Sequence, residues 1–174
     1  TAMKVLGSGL YDANHFEDAL SVEEAQFSIL QRVAATEEDL LVAQGNLACS
    51  YQELGRFEEA LRTERDVYSG RLKLNGNEHE RTIRSANNYA SSLIHLERFE
   101  EAKALLRKTI SVARRVLGEN NDTTLRMRTN CARALYEDPA ATLDDLREAV
   151  TTLEDAGPIA RRVLGGAHPL AAGI

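Results

Sequence analysis

A repeat of 42 residues is the feature that most limits what this chain can fold into. Asparagine, followed two residues later by alanine, occurs at equal intervals at Asn46, Asn88 and Asn130. A second segment, Phe-Glu-Glu-Ala, begins at Phe57 and recurs at Phe99, again 42 residues later. Self-similarity at a period of about 20–50 residues is typical of chains built from small units that bury their apolar faces only against their neighbours. The repeat therefore predicts a stack of like units.

The repeat reaches both ends of the sequence, with one insertion. A match to the Phe57 segment begins at Phe16, at an offset of 41, and Ala113–Gly118 returns at 160–165, 47 residues later. The extra five residues lie around Asp138-Pro139 and predict a longer loop there, with Asp138 or Thr142 capping the next helix. We expect four repeats, approximately 1–38, 39–80, 81–122 and 123–168, in a single domain over 1–174. Residues 169–174 then begin a further repeat, as in a fragment of a longer array.

Each repeat has the pattern of two helices joined by a short turn. Only three of the 174 residues are proline and 5% are aromatic, while leucine, alanine, glutamate and arginine favour helix over sheet. Apolar residues recur at helical spacing on both sides of turn glycines such as Gly55. The predicted helices are 3–14, 16–35, 39–54, 57–74, 82–96, 99–116, 123–136 and 142–164. We expect Gly157-Pro158 to interrupt the last one, because proline cannot donate the helical hydrogen bond.

The spacing within each repeat resembles the tetratricopeptide repeat, in which a small residue precedes a large one by three positions and an alanine by twelve. The matching triplets are Gly7/Leu10/Ala19, Ala48/Tyr51/Ala60, Ala90/Leu93/Ala102 and, across the insertion, Ala132/Leu135/Ala149. The long period and the linkers at 76–82 and 165–169 are similar to those of kinesin light chain and related long repeats. The resemblance implies an all-α, right-handed α-solenoid of four stacked helix-turn-helix units. The linker at Asn121-Asp122 lacks the expected His-Pro, and the first repeat has only 35–39 in its place.

Charge and hydropathy exclude two classes of partner. The formal net charge is −6 and the pI is about 5.3, so the chain lacks the basic balance that nucleic-acid binding requires. No apolar run approaches the roughly 18 residues of a membrane span. Two cysteines without a spacing pattern indicate a reducing compartment. We therefore expect a cytoplasmic protein that binds neither nucleic acid nor membrane.

The residues that most often carry chemistry show no catalytic arrangement. His79 and His168 occupy equivalent linker positions, where we expect a turn and hydrogen-bonding role, and no two histidines have metal-ligand spacing. We expect Cys131 in the core and Cys49 on the opposite, exposed side of its helix, without a disulfide between them. The acidic pair Glu58-Glu59 complements a helix dipole, because adjacent helical residues diverge by about 100°. The sequence thus predicts no enzyme, no cofactor and no metal site.

A groove formed by the first helix of each repeat is the remaining candidate site. In the architecture that the resemblance implies, these helices line the concave surface, and helical phase separates a packed face from an open one. The residues assigned to the groove are Asn46, Gln52, Arg84, Asn87, Asn88, Ser91, Arg126, Asn130, Arg133 and Tyr136. Asn46, Asn88 and Asn130 either bond an extended ligand backbone or bond the neighbouring repeat, and both roles remain open.

The groove arginines decide the expected partner. Arg84, Arg126 and Arg133 suit a segment with Asp, Glu or a free carboxyl terminus, because a guanidinium prefers planar carboxylate contacts. The alternative is that these arginines pair with acids of the protein itself, such as Glu137. The leading hypothesis is a non-catalytic scaffold that binds an extended, acidic protein or peptide segment in the groove. The alternative is a regulatory or structural module that packs against its own parent chain, for example in the sensor region of a signalling ATPase.

Overall fold

The computed structural model describes residues 2–164, and in this range the chain forms eight α-helices and no β-strand. The helices are α1 (Ala2–Asp12), α2 (Phe16–Arg32), α3 (Glu37–Glu53), α4 (Phe57–Asn75), α5 (Glu80–His95), α6 (Phe99–Leu117), α7 (Asp122–Tyr136) and α8 (Leu143–Leu164). Every helix predicted from the sequence is present, with its ends within three residues of the predicted ones. The all-α, helix-turn-helix organisation is therefore confirmed.

The helices divide between two compact units, the N-terminal unit (Thr1–Leu74) and the C-terminal unit (Asn75–Ile174). In the N-terminal unit α1 packs against α2, and α2 packs against α3. In the C-terminal unit α5 packs against both α6 and α7, while α7 also packs against α6 and α8. In the C-terminal unit, the first helices α5 and α7 are therefore close to one another and to the second helices.

Small residues mark the closest approaches between helices. The repeat alanines are at most 2% exposed: Ala48, Ala60, Ala90, Ala102, Ala132 and Ala149. Gly7, which occupies the same position in the first repeat, is buried as well. A methyl group or a hydrogen at these positions lets two helix backbones approach, and a larger side chain would overpack the contact. The burial of the repeat alanines thus fits the close packing of helix pairs within the array.

One residue in each described linker between repeats has a positive φ. Ala34, Gly76 and Gly118, spaced by 42 residues, all have positive φ, of 48°, 77° and 93°. This region favours glycine because an L-residue crowds its own carbonyl there. The first linker therefore also has a residue with positive φ, although its sequence has alanine there and not glycine.

The helix that follows each linker is capped by a side chain. The Oγ1 atom of Thr36 accepts a hydrogen bond from the backbone N–H of Asp39, at 3.2 Å. The Nδ1 atom of His79 accepts one from Arg81, and the Oδ1 atom of Asn121 accepts one from Thr123. The hydrogen-bonding role expected of His79 is confirmed, and asparagine replaces it in the next linker. His168 lies outside the described residues, as do 169–174.

The inserted residues form the longest turn inside a repeat. Residues 137–142 separate α7 from α8, whereas the equivalent turns are 13–15, 54–56 and 96–98. Thr142 caps α8 by accepting a hydrogen bond from the N–H of Asp145. Asp138 accepts one from the N–H of Ala140, and its other oxygen binds the Lys103 ammonium at 2.8 Å. Both the long loop and the Thr142 cap agree with the sequence prediction.

The expected interruption at Gly157-Pro158 is wrong, because α8 continues through the proline. Ala156 and Ala160 are fully buried and pack with Leu125 of α7, and Ile159 lies against the same cluster. This packing on both sides of Pro158 holds the helix together and offsets the hydrogen bond that proline cannot make.

Candidate functional site

The open sides of α5 and α7 bring most of the predicted groove residues together. On α5, Arg84 is exposed, Asn88 and Ser91 are half-buried, and Asn87 is buried. On α7 the exposed or half-buried members are Arg126, Asn130, Arg133 and Tyr136. The Nδ2 group of Asn130 donates a hydrogen bond to Oδ1 of Asn87 at 3.0 Å and so joins the two helices across this face. We call this surface the α5–α7 face.

Each arginine of the α5–α7 face pairs with an acid one turn away on its own helix. Arg84 binds Glu80 at 2.9 Å, and Arg126 binds Asp122 at 2.8 Å. The Nε group of Arg133 lies 2.9 and 3.0 Å from the two carboxylate oxygens of Glu137. The alternative in which these arginines pair with acids of the protein itself thus describes the unbound chain. Such exposed helical pairs contribute only about 0.3–0.5 kcal/mol each, so a ligand carboxylate can compete with them.

The asparagines of the repeat do not share one role. Asn130 bonds the neighbouring first helix through Asn87. Asn46 and Asn88 are half-buried, and within residues 2–164 their side-chain amides make no hydrogen bond. An amide donates and accepts, and an unused one on an open helix face is available to a ligand backbone. Bonding to the neighbouring repeat therefore holds for Asn130, while ligand bonding by Asn46 and Asn88 stays a prediction.

The N-terminal unit places Asn46 and Gln52 on α3, where both are half-buried. Tyr11 of α1 donates a hydrogen bond to Glu53 of α3 at 3.1 Å. Beneath them the hydroxyl of Ser50 donates to Oε2 of Glu23 at 2.7 Å, inside the packed interior. This buried polar pair was not predicted from the sequence. The signal that reveals it is the comparison of core positions between repeats, since Leu106 and Ala134 stand where Glu23 and Ser50 stand two repeats earlier.

Cys49 is not the exposed residue that we expected, because it is partly buried among acids. Burial, followed by the charges of Glu64, Glu23 and Glu53, raises the pKa of its thiol to about 12. The thiolate is the nucleophilic form of cysteine, so this thiol is inert near neutral pH. Cys131 is buried, as predicted.

A cavity of about 270 Å³ lies beside the inserted loop at one end of the α5–α7 face. Its lining residues are Ile94, His95, Glu97, Phe99, Arg133, Glu137 and Pro139. The insertion therefore adds a wall through Glu137 and Pro139, whereas Tyr136 is exposed beside it. Among the described residues, no group of three or more His, Cys, Asp or Glu is placed to hold a metal ion. None of the described helices combines the length and apolar character needed to cross a membrane.

Comparisons with known proteins agree with this architecture. Residues 40–81 and 75–138 match two family models, both described as tetratricopeptide repeat, which together span 40–138. No curated protein matches the sequence. In the crystal structure of Podosopora anserina putative kinesin light chain TPR-like repeats, the aligned region is 22% identical, covers 99% of this chain and 80% of that chain, and has a TM-score of 0.77. A crystal structure of a point variant of that protein is 21% identical over 99% of this chain and 79% of that chain, with a TM-score of 0.79.

A third solved structure, BtubC (BKLC) from P. vanneervenii, is 19% identical over 92% of this chain and 61% of that chain, with a TM-score of 0.74. At these identities the similarity is evidence for the fold. It adds no information on ligands of the α5–α7 face. The family models and the solved structures thus point to the same helix-pair repeat that the spacing of residues predicts.

Proposed function

Because the chain belongs to the tetratricopeptide repeat family, whose fold generally serves non-catalytic interaction, we propose that it is a scaffold that binds a partner protein through the α5–α7 face. The partner contributes an extended segment that carries aspartate or glutamate. The observation that supports this proposal is the set of Arg84, Arg126 and Arg133 on the open α5–α7 face, together with the unused amide of Asn88. Such a face offers both charge and backbone hydrogen bonds to a peptide.

Binding proceeds in this proposal by exchange of carboxylates. A ligand acid takes the place of Glu80, Asp122 or Glu137 beside its arginine, and the displaced side chain returns to water. The exchange replaces one ion pair with another, so each arginine contributes little to the binding free energy. The arginines mainly determine specificity for acidic segments. Asn88 donates and accepts hydrogen bonds with the peptide backbone, which contributes affinity without regard to the ligand sequence.

The test is a titration of an acidic peptide against the wild type and two variants. We expect the triple variant Arg84→Ala, Arg126→Ala, Arg133→Ala to lose about 1–2 kcal/mol, which is roughly a five- to thirtyfold weaker affinity. Added salt weakens wild-type binding through screening of these pairs. Asn88→Ala weakens binding at every salt concentration, because a polar ligand group loses its partner.

The matched control is a triple variant at Arg62, Arg65 and Arg147, which are exposed arginines on the second helices α4 and α8. It removes the same charge from other surfaces, and we expect it to bind the peptide with near wild-type affinity. Peptide affinity that is unchanged by salt, by the triple arginine variant and by Asn88→Ala contradicts the proposal. The interaction then belongs to another face, or to a parent chain against which the module packs.

A further inference from the structure

Glu23 occupies a core position that is apolar in the last two repeats. Counting four residues beyond the repeat alanine gives Glu23 and Glu64 in the first two repeats, and Leu106 and Leu153 in the last two. Glu23 is only 3% exposed and Leu106 is fully buried. A carboxyl group therefore fills a position where the same scaffold elsewhere places leucine, and burial penalises its charged form.

The contacts of Glu23 hold it between three helices. From α3, the hydroxyl of Ser50, itself fully buried, donates to Oε2 of Glu23. From α1, Gly7 lies directly over the side chain, since a Cβ atom at this glycine would be 3.2 Å from Cγ of Glu23. No ion pair within residues 2–164 includes Glu23. The ionised carboxylate thus has one hydroxyl donor and no cation to offset its burial.

The titratable groups that face Glu23 add negative charge or none. They are Tyr11 from α1 and Cys49 from α3, and Cys49 is itself flanked by the carboxylates of Glu53 and Glu64. Burial, then Cys49 and Glu53, and finally Glu23 itself, raise the pKa of the Tyr11 hydroxyl, so this phenol stays neutral. Burial also raises the pKa of Glu23 above its usual 4.5, although the hydrogen bond from Ser50 opposes the change. Among the described residues, these facing groups include no lysine, arginine or histidine.

We propose that Glu23 is a proton-controlled brace of the N-terminal unit, which packs α1, α2 and α3 tightly when protonated and loosens them when ionised. The proposal is independent of peptide binding at the α5–α7 face. In the open state Glu23 titrates near 4.5, and in the packed state it titrates at higher pH. The stability that protonation contributes is therefore complete below about pH 4.5 and is lost as the pH rises through the packed-state value.

The experiment is amide hydrogen exchange of the intact chain between pH 4.5 and pH 8, corrected for the intrinsic exchange rate at each pH. We expect the protection of α2 and α3 amides to fall with rising pH, by up to about tenfold per pH unit, and then to level off. Amides of α6, whose equivalent core residue is Leu106, keep level protection over the same range. The contrast between α2 and α6 within one sample excludes a general effect of pH.

Glu23→Gln removes the titration and keeps an acceptor for Ser50, so we expect the protection of α2 and α3 to become independent of pH. Glu17→Gln, an exposed change on the same helix, is the matched control and retains the wild-type profile. If Glu23→Gln lowers amide protection at all pH values, the change of that protection with pH still shows whether the proton on Glu23 matters. The proposal is overturned if wild-type amide protection in α2 and α3 does not change with pH, or if Glu23→Gln shows the same pH dependence as the wild type.

Discussion

Residues 1–74 hold seven Lys and Arg against thirteen Asp and Glu, whereas residues 75–174 hold fourteen of each, so the whole net charge of −6 belongs to the N-terminal unit. The interiors differ in the same direction. The N-terminal unit buries Glu23 beside Ser50 with no cation, while the C-terminal unit has Leu106 and Ala134 at the equivalent positions. The repeat pattern thus constrains the size of a core side chain more tightly than its polarity.

Each unit also buries a charge that it pairs: Arg71 binds Glu38 in the N-terminal unit, and Lys103 binds two acids in the C-terminal unit. Lys103 stands at the position of the buried Leu20 and Leu61, and its side chain is 6% exposed. Its ammonium binds Asp138, from the inserted loop, at 2.8 Å and Glu100 at 2.5 Å. The insertion therefore has a structural role, because it supplies the acid that a lysine in this position requires.

The largest expected effect comes from breaking that pairing. Asp138→Ala leaves the buried Lys103 with only the exposed Glu100, and we expect the midpoint of thermal unfolding to fall by roughly 6–10 °C. Adding Lys103→Leu, which restores the residue type of Leu20 and Leu61, removes the uncompensated charge and recovers most of the loss. Differential scanning calorimetry measures both.

The matched control is Asp144→Ala, an exposed acid of the same region whose partner Arg147 is also exposed. We expect little change in its unfolding midpoint. If Asp138→Ala behaves like Asp144→Ala, Lys103 does not depend on the inserted loop, and the structural role assigned to the insertion fails.

A second prediction converts the N-terminal core to the type found in the C-terminal unit. Glu23→Leu alone leaves the hydroxyl of Ser50 buried without its acceptor. The double variant Glu23→Leu, Ser50→Ala reproduces the pair Leu106 and Ala134. We expect the double variant to be about 1–2 kcal/mol more stable than the single one at pH 7, by urea unfolding, because an orphaned buried hydroxyl is costly. A single variant as stable as the double one contradicts this account of the core.

The fold followed from the sequence because its determinants are local and repeated. The alanine positions, the turn residues and the 42-residue period each predict the same helix pairs, so errors at one repeat are corrected by the others. Pro158 shows the limit of local reasoning, since burial of Ala156 and Ala160 against α7 overrides the helix-breaking tendency of proline. That packing depends on residues more than thirty positions away.

The candidate site was less predictable, because side-chain pairing is not periodic. Helical phase places Arg84 and Arg126 on an open face, but their pairing with Glu80 and Asp122 depends on rotamers and on competing acids. The bond between Asn130 and Asn87 depends on how α5 and α7 approach. Glu23 was overlooked because an acidic residue in a helix is normally assigned to its solvated side.

The smallest expected effect concerns the turn at Ala34, where the first repeat departs from the glycine of the others. Ala34 has φ of 48°, a conformation that costs an L-residue roughly 1–2 kcal/mol and glycine almost nothing. Glycine also loses more backbone entropy on folding, by roughly 0.5–1 kcal/mol. We therefore expect Ala34→Gly to stabilise the chain by about 0.5–1 kcal/mol in urea unfolding.

Ala35→Gly, at the next position without positive φ, is the matched control and destabilises. Gly76→Ala tests the converse, because a Cβ there meets open space and the cost is purely conformational. If Ala34→Gly and Ala35→Gly destabilise alike, the positive φ of Ala34 imposes no cost that glycine relieves.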